Sequence, residues 1–304
     1  MLKRYAVLGL CIGSMTTAYA QGNGPGLWGA RSAGLGQIGS VLEQDGWAGA
    51  ANAAALGRLA RPTVGVGAEN RYLLPALNTV SLMVAVPVGY KTAGQPVAPV
   101  AGVSAAVAAP EAPRYGVVGF TAQRFGGKLY SEQRLGLGYG YQLGTVRVGA
   151  RVEVLQTSFE GLGSRRVVAA SLGGQADIIP RKLTFGATLY NLNQARLYEY
   201  QDERLPTVLR AGLAWRASEK VLLLAETEKD VEQDADFKAG LEYQPVPVLA
   251  VRAGLSSLMQ QLTGGVGLKA GPFQVDYAAA WHEALGLSQQ LSVAYVWAKP
   301  QPQP

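Results

Sequence analysis

Residues 134–155, RLGLGYGYQLGTVRVGARVEVL, hold an alternation of apolar and non-apolar side chains through two successive runs. In the first run Leu135, Leu137, Tyr139, Tyr141 and Leu143 fall on one face, opposite Arg134, Gly136, Gly138, Gly140 and Gln142. In the second, Val146, Val148, Ala150, Val152 and Val154 oppose Arg147, Gly149, Arg151 and Glu153, with a tight turn at Gly144-Thr145 between the runs. A period of two is the period of a β-strand. Each run keeps it for about ten residues, whereas strands of soluble sheets are usually about five or six long. About ten tilted residues is the length at which a strand crosses a bilayer. The pattern therefore predicts a transmembrane hairpin, with its apolar face to lipid and its face of glycine and charge to a lumen.

The start of the chain fits that destination. Lys3 and Arg4 precede an apolar segment from Tyr5 to Gly13, and Ala18-Tyr19-Ala20 supplies an A-x-A cleavage site. This is the layout of a secretory signal peptide over residues 1–20. The apolar run is well short of the ~20 residues a spanning helix needs. Cys11 is the only cysteine, so a chain cleaved after Ala20 carries no disulfide, zinc-thiolate site or cysteine nucleophile. No later segment has ~18 uninterrupted apolar residues, so strands are the remaining means of crossing. The net charge of +6 falls by two with the loss of Lys3 and Arg4. The remaining basic residues are scattered along strands, which is no footprint for nucleic acid.

From Pro62 onward the alternation recurs and predicts fourteen strands: 62–72, 77–89, 115–124, 132–143, 145–156, 166–178, 181–191, 207–216, 219–228, 236–244, 247–256, 261–269, 272–282 and 287–298. The expected architecture is an all-β, antiparallel transmembrane barrel over residues 62–298 with a polar tail at 299–304. From the fourth strand onward the connections are expected to alternate. Turns at Leu143–Thr145, Ile179–Arg181, Ala217–Glu219, Gln244–Pro247 and Ala270–Pro272 are short. Those at Thr157–Arg165, Asn191–Pro206, Lys229–Ala235, Ser256–Gln260 and Glu283–Gly286 are longer. Outer-membrane barrels have short periplasmic turns and longer extracellular loops, and an even strand number leaves both termini in the periplasm. The second connection breaks the rule. Tyr90–Arg114 is an Ala/Val/Pro-rich insert, read either as a periplasmic excursion or as a segment that enters the lumen or docks a partner. Tyr72, Tyr115, Tyr190, Trp215, Tyr243, Trp281 and Trp297 fall at or near strand ends, as an interfacial aromatic girdle requires.

Residues 21–61 do not alternate. They are rich in small residues, with Trp28 and Trp47 as the large side chains and a short helix expected over Ala48–Leu59. The segment is neither patterned nor long enough to span, so it is expected to cap or plug the barrel mouth.

This N-terminal stretch, GLWGARSAGLGQIGSVLEQDGWAGAANAAALGRL, resembles the start of the PorV/PorQ-type outer-membrane proteins, relatives of the FadL-like fatty-acid transporters. FGGKLYSEQRLGLGYGYQLG, AETEKDVEQDADFKAGLEYQPVPVLAVRAGL and LTGGVGLKAGPFQVDYAAAWHEALGLSQQLSVAY are similar to the same family in order and spacing. The resemblance covers Gly26 to Tyr295. It implies a fourteen-stranded barrel of FadL-like fold, in some members serving type IX protein secretion. Where the family carries Asn-Pro-Ala-Gly, this chain has Asn52-Ala53-Ala54-Ala55, so a proline-fixed turn is not implied.

No catalytic constellation emerges. His282, the only histidine, sits at a loop edge with no serine placed for a triad. The Gly-x-Gly-x-Gly of GLGYGYQLG lies within a strand and no helix follows, so it is not a phosphate loop. Neither cofactor nor metal is implied. Strand parity places Glu69, Arg134, Arg147, Arg151, Glu153, Lys182, Arg210, Arg216, Glu226, Glu228, Lys238, Glu242, Arg252, Lys269 and Asp276 inward. Charges in a narrow barrel must pair or be hydrated. They form either an ion-pair lattice that stiffens the lumen or a wet passage for a polar or anionic solute. The expected role is a non-enzymatic scaffold or docking component of secretion, set in outer-membrane lipid and meeting secretion-system proteins. The alternative is a FadL-like channel for hydrophobic or small solutes. On parity alone, Val148→Arg on the lipid face should impair assembly more than Arg147→Val on the lumen face, as read by heat-modifiable gel mobility.

Overall fold

The computed structural model describes residues 24–26, 28–89, 115–198, 203–231, 233–258 and 260–297. The expected leader 1–20, the insert Tyr90–Arg114 and the tail 299–304 lie outside them. Sixteen strands run in chain order: β1 (Thr63–Asn70), β2 (Asn78–Pro87), β3 (Val117–Gly126), β4 (Tyr130–Leu143), β5 (Val146–Phe159), β6 (Gly163–Ile179), β7 (Leu183–Tyr190), β8 (Arg196–Tyr198), β9 (Glu203–Arg204), β10 (Val208–Arg216), β11 (Val221–Asp230), β12 (Asp236–Val246), β13 (Leu249–Ser256), β14 (Gln261–Ala270), β15 (Phe273–His282) and β16 (Gly286–Val296). Fourteen of them close an antiparallel barrel, each paired with its sequence neighbours. β1 completes the ring against β16, from Thr63 opposite Val296 to Asn70 opposite Gln289. β8 and β9 are a small ribbon inside the connection from β7 to β10. Closure gives each barrel strand a neighbour on both sides, which is why a sheet can stand in lipid at all.

The side-chain parity is that of the hairpin read from the sequence. Leu135, Leu137 and Val152 are more than half exposed, whereas Arg147 and Glu153 on the opposite face are at most 3 % exposed. The exterior is apolar across the middle of the wall, and the interior is packed with both polar groups and apolar clusters. No helix among the described residues is long and apolar enough to cross a membrane.

Both chain ends of the barrel lie at one rim: Trp297 N–H donates to the Pro62 carbonyl at 3.0 Å, and Val296 N–H to that of Pro272 at 2.9 Å. The tight turns after β4, β6, β10, β12 and β14 share this rim. The other rim departs from expectation. The sequence predicts a longer loop over Thr157–Arg165, yet β5 and β6 run on to leave only 160–162 as the turn. The reason is visible in the pairing, since Gln156, Thr157 and Ser158 find partners in Arg166, Arg165 and Ser164 and prolong the ladder. The connection at 191–207 is the long one. Its described parts reach inward, with Leu197 and Leu205 buried against inward-facing Leu155, Val167 and Ala169. Asn191 anchors it, with Nδ2 donating to the Leu205 carbonyl and Oδ1 accepting from Ala195 N–H at 2.8 and 2.9 Å. β7 stops at Tyr190, short of the end of β6. Beyond it the Asn193 side chain takes the next ladder positions, accepting from Ala170 N–H and donating to the Val168 carbonyl, each at 2.8 Å.

Val152→Arg, near the middle of β5, should cost about 2–4 kcal/mol of barrel stability, the range for a charge on the lipid face near the midplane. Reversible urea unfolding in lipid vesicles measures it, and a cost indistinguishable from zero would contradict the assigned face.

Candidate functional site: the plugged lumen

Residues 28–59 occupy the lumen rather than capping it. Two single-turn helices, α1 (Ala30–Ala33) and α2 (Ala48–Ala51), are joined by a series of turns, and a 3-10 turn over Ala53–Arg58 follows the extended Asn52. Ala30, Leu35, Ile38, Ala54 and Ala55 are fully buried. The single helix expected over Ala48–Leu59 is broken at Asn52, whose backbone is extended at φ −142° and ψ 108°. Its side chain holds the break. Oδ1 accepts from Ala54 N–H at 3.0 Å, and Nδ2 donates to the Ser40 carbonyl at 2.7 Å. A proline is thus not needed for the turn.

The glycines on the inward faces make room for this segment. A Cβ at Gly140 or Gly149 would overlap the Ala53 carbonyl, and one at Gly186 would overlap that of Ser40. A Cβ at Gly254 would run into the Gly36 amide. Trp28 and Trp47 are both almost fully buried, Trp28 with the Arg151 guanidinium 5.5 Å over its ring and Trp47 above Gly65 and Met83.

Charges fasten plug to wall. Arg31 of α1 makes a two-pronged contact with Glu242 of β12, both bonds at 2.9 Å. Arg252 joins the same carboxylate at 2.7 Å and reaches Asp276 at 2.6 Å. Glu226 of β11 accepts from Gly39 N–H, Ser40 N–H and Ser40 Oγ at 3.0, 2.7 and 2.6 Å. Near the rim that carries the chain ends, Arg147 lies 2.6 Å from Glu43 of the plug and 2.8 Å from Asp177 of β6. Arg58 of the plug meets the same two acids at 2.7 and 3.4 Å. Burial pushes the Asp45 carboxyl in the plug above its ordinary range, against the pull of Arg31.

A second set belongs to the wall alone. Arg134 pairs with Glu132 at 3.2 Å and Glu153 at 3.3 Å, and Arg151 with Glu153 at 2.9 Å. Arg210 pairs with Glu228 at 2.9 Å, and Lys238 contacts Glu228 as well and lies 3.8 Å from Asp236. Glu69 is held by Arg71 at 3.0 Å. Arg216, Lys182 and Lys269, expected inward, are exposed at the rim of the chain ends and join none of these clusters. Parity loses its meaning where a strand gives way to its turn. His282 is also at a rim, where its Nδ1 accepts from the backbone N–H of Ala284 and Leu285. Parity missed Arg31, Glu43 and Arg58, because they lie in a segment without a period. Their signal was the presence of charge in a stretch otherwise made of small residues.

Between plug and wall a cavity of about 20 Å³ is bounded by Trp28, Arg151, Glu153, Tyr190 and Arg210, with room for about one water. Above it lies the apolar cluster of Leu155, Val167, Ala169, Leu197 and Leu205 under the inward-bent connection.

No family model matches the sequence, and no curated protein matches it either. Solved structures do match in fold. The toluene transporter TbuX of Ralstonia pickettii superposes with a TM-score of 0.60 at 13 % identity, covering 90 % of this chain and 97 % of that one. The toluene transporter TodX of P. putida gives 0.54 at 12 % identity, covering 92 % and 100 %. A TodX variant described as a monoaromatic hydrocarbon channel gives 0.59 at 11 % identity, covering 88 % and 98 %. The structural neighbours are thus FadL-like barrels.

The Arg147 contacts reverse the ordering expected from parity. Arg147→Val removes one of the two cations that hold Glu43 and Asp177, leaving Arg58 alone with both, which should cost about 1.5–3 kcal/mol. Val148 lies near a rim, where an arginine on the lipid face costs about 0–1 kcal/mol. Heat-modifiable mobility and urea midpoints of the two variants should rank Arg147→Val as the more damaging.

Proposed function

We propose that this chain is an outer-membrane transporter for small, largely apolar solutes, closed at rest by its own N-terminal segment. The observation that carries this reading is the plug threaded through a fourteen-stranded barrel, in a fold that overlaps TbuX and TodX over nearly their whole length. The rim with the chain ends faces the periplasm and the inward-bent 191–207 connection faces outside. A solute would meet the apolar cluster of Leu155, Val167 and Leu197 first and the charged floor below it second. Charge pairs in that floor suit a gate better than a conduit, because a paired guanidinium offers little to an apolar guest.

A second reading retains the PorV/PorQ resemblance: a barrel whose rim docks components of protein secretion. The filled lumen favours it, since a scaffold needs no passage.

Uptake of a radiolabelled monoaromatic hydrocarbon into cells with and without the protein separates the two. Transport predicts uptake that depends on the protein and rises several-fold in Gly149→Val, whose side chain would displace the plug at Ala53. Unchanged uptake on deletion, together with lost secretion of exported proteins, would refute transport and support the scaffold.

A further inference from the structure

The outward face of the barrel is apolar almost to the loop rim on one side and not on the other. On β10, β12, β13, β14 and β15 the outward positions next to that rim are Leu209, Phe237, Leu255, Leu262 and Trp281, each at least half exposed. On β3 to β6 the corresponding positions are polar and in register. Arg124 lies opposite Gln133, Gln133 opposite Gln156, and Gln156 opposite Arg166. These four residues make one row across four neighbouring strands, about 14 Å long at ~4.8 Å per strand step. The next row toward the midplane, in the same columns, is Ala122, Leu135, Val154 and Val168, the apolar surface. The basic row therefore stands where hydrocarbon gives way to headgroups.

Arg124, Gln133 and Arg166 are exposed, as is Lys128 in the turn joining β3 to β4. Among the described residues Arg124 and Lys128 have no hydrogen-bond or ion-pair partner. Arg166 donates through Nε to Gln156 Oε1 at 2.6 Å, which ties the exposed guanidinium to the row through one nitrogen. The acids of these strands do not neutralise the row. Glu132 is bound inward by Arg134, and Glu160 stands in the turn beyond, between β5 and β6. Guanidinium groups on a lipid-facing surface are costly unless an anion meets them, and they match phosphate with two parallel hydrogen bonds.

We propose that this row is a binding site for a phosphorylated glycolipid of the outer leaflet, with Arg124 and Arg166 each taking a phosphate. Lys128 adds charge from above, and the exposed Gln133 offers its amide to the sugar between, while Gln156 holds Arg166 in place. The site rests on the loop rim facing outside and is independent of what the lumen carries.

Native mass spectrometry of the purified protein with bisphosphorylated lipid A tests it. The wild-type protein should retain lipid A at least tenfold more tightly than the same glycolipid stripped of its phosphates. The double variant Arg124→Gln/Arg166→Gln, checked for folding by heat-modifiable mobility, should lose that preference. Lys229→Gln, an exposed cation on β11 outside the row, should keep it. Equal binding of the phosphorylated and dephosphorylated lipids by the wild-type protein overturns the proposal without recourse to any variant. So does an equal loss in Lys229→Gln, or displacement of lipid A by equimolar inorganic phosphate, which would make this a site for free anions.

Discussion

A length of irregular chain inside a membrane barrel has to find a partner for every polar group of its backbone, because neither lipid nor bulk water is there to supply one. In this protein the wall supplies them. Ala30 N–H is met by Ser292 Oγ at 3.1 Å, and Gly36 N–H by Thr263 Oγ1 at 2.9 Å. Gln175 Nε2 donates to the Ser40 carbonyl at 2.9 Å, and Glu226 answers the amides of Gly39 and Ser40. The inner face of the barrel is polar because it serves a folded segment. Its glycines serve the same end by letting that segment lie directly on the sheet. Plug and wall are in this sense one folding problem, and the barrel interior would be badly under-satisfied without its N-terminal residues.

The same constraint bears on activity. Arg147, Arg58, Glu43 and Asp177 tie two plug positions to β5 and β6 through shared carboxylates. Each acid is shared by both cations, so removing one member leaves the others still paired, and more than one contact must break before the plug loosens here. Any passage through the lumen needs a concerted shift of the segment, or a route that avoids its ion-paired half. The apolar cluster beneath the 191–207 connection is the part of the interior not engaged in such pairing.

Much of this fold could be read directly from the order of residues. A period of two sustained for about ten residues admits few structures, and Leu135 to Leu143 against Arg134 to Gln142 set the inside and outside of the barrel. Strand ends were harder to read. Parity carried Arg216 inward although β10 ends there, and it stopped β5 at Gln156 because Thr157 and Ser158 look like loop residues. They are polar on both faces because the hairpin has by then left the apolar layer. The plug was legible as a segment apart but not in its path. Gly149 and Gly186 are informative only once the partners Ala53 and Ser40 are known, and those contacts are set by tertiary geometry.

Asn193 has a wider consequence. β7 is too short to cover β6, and one side-chain amide offers the acceptor and the donor that a further strand residue would have provided. It is in effect a stitch at the lip of the wall, and the seam it closes lies beside the connection that folds into the mouth. The barrel can therefore let β7 end early, with Leu197 and Leu205 of the following connection buried in the mouth, and still cover the edge of β6 at Val168 and Ala170, where another β-strand could otherwise add.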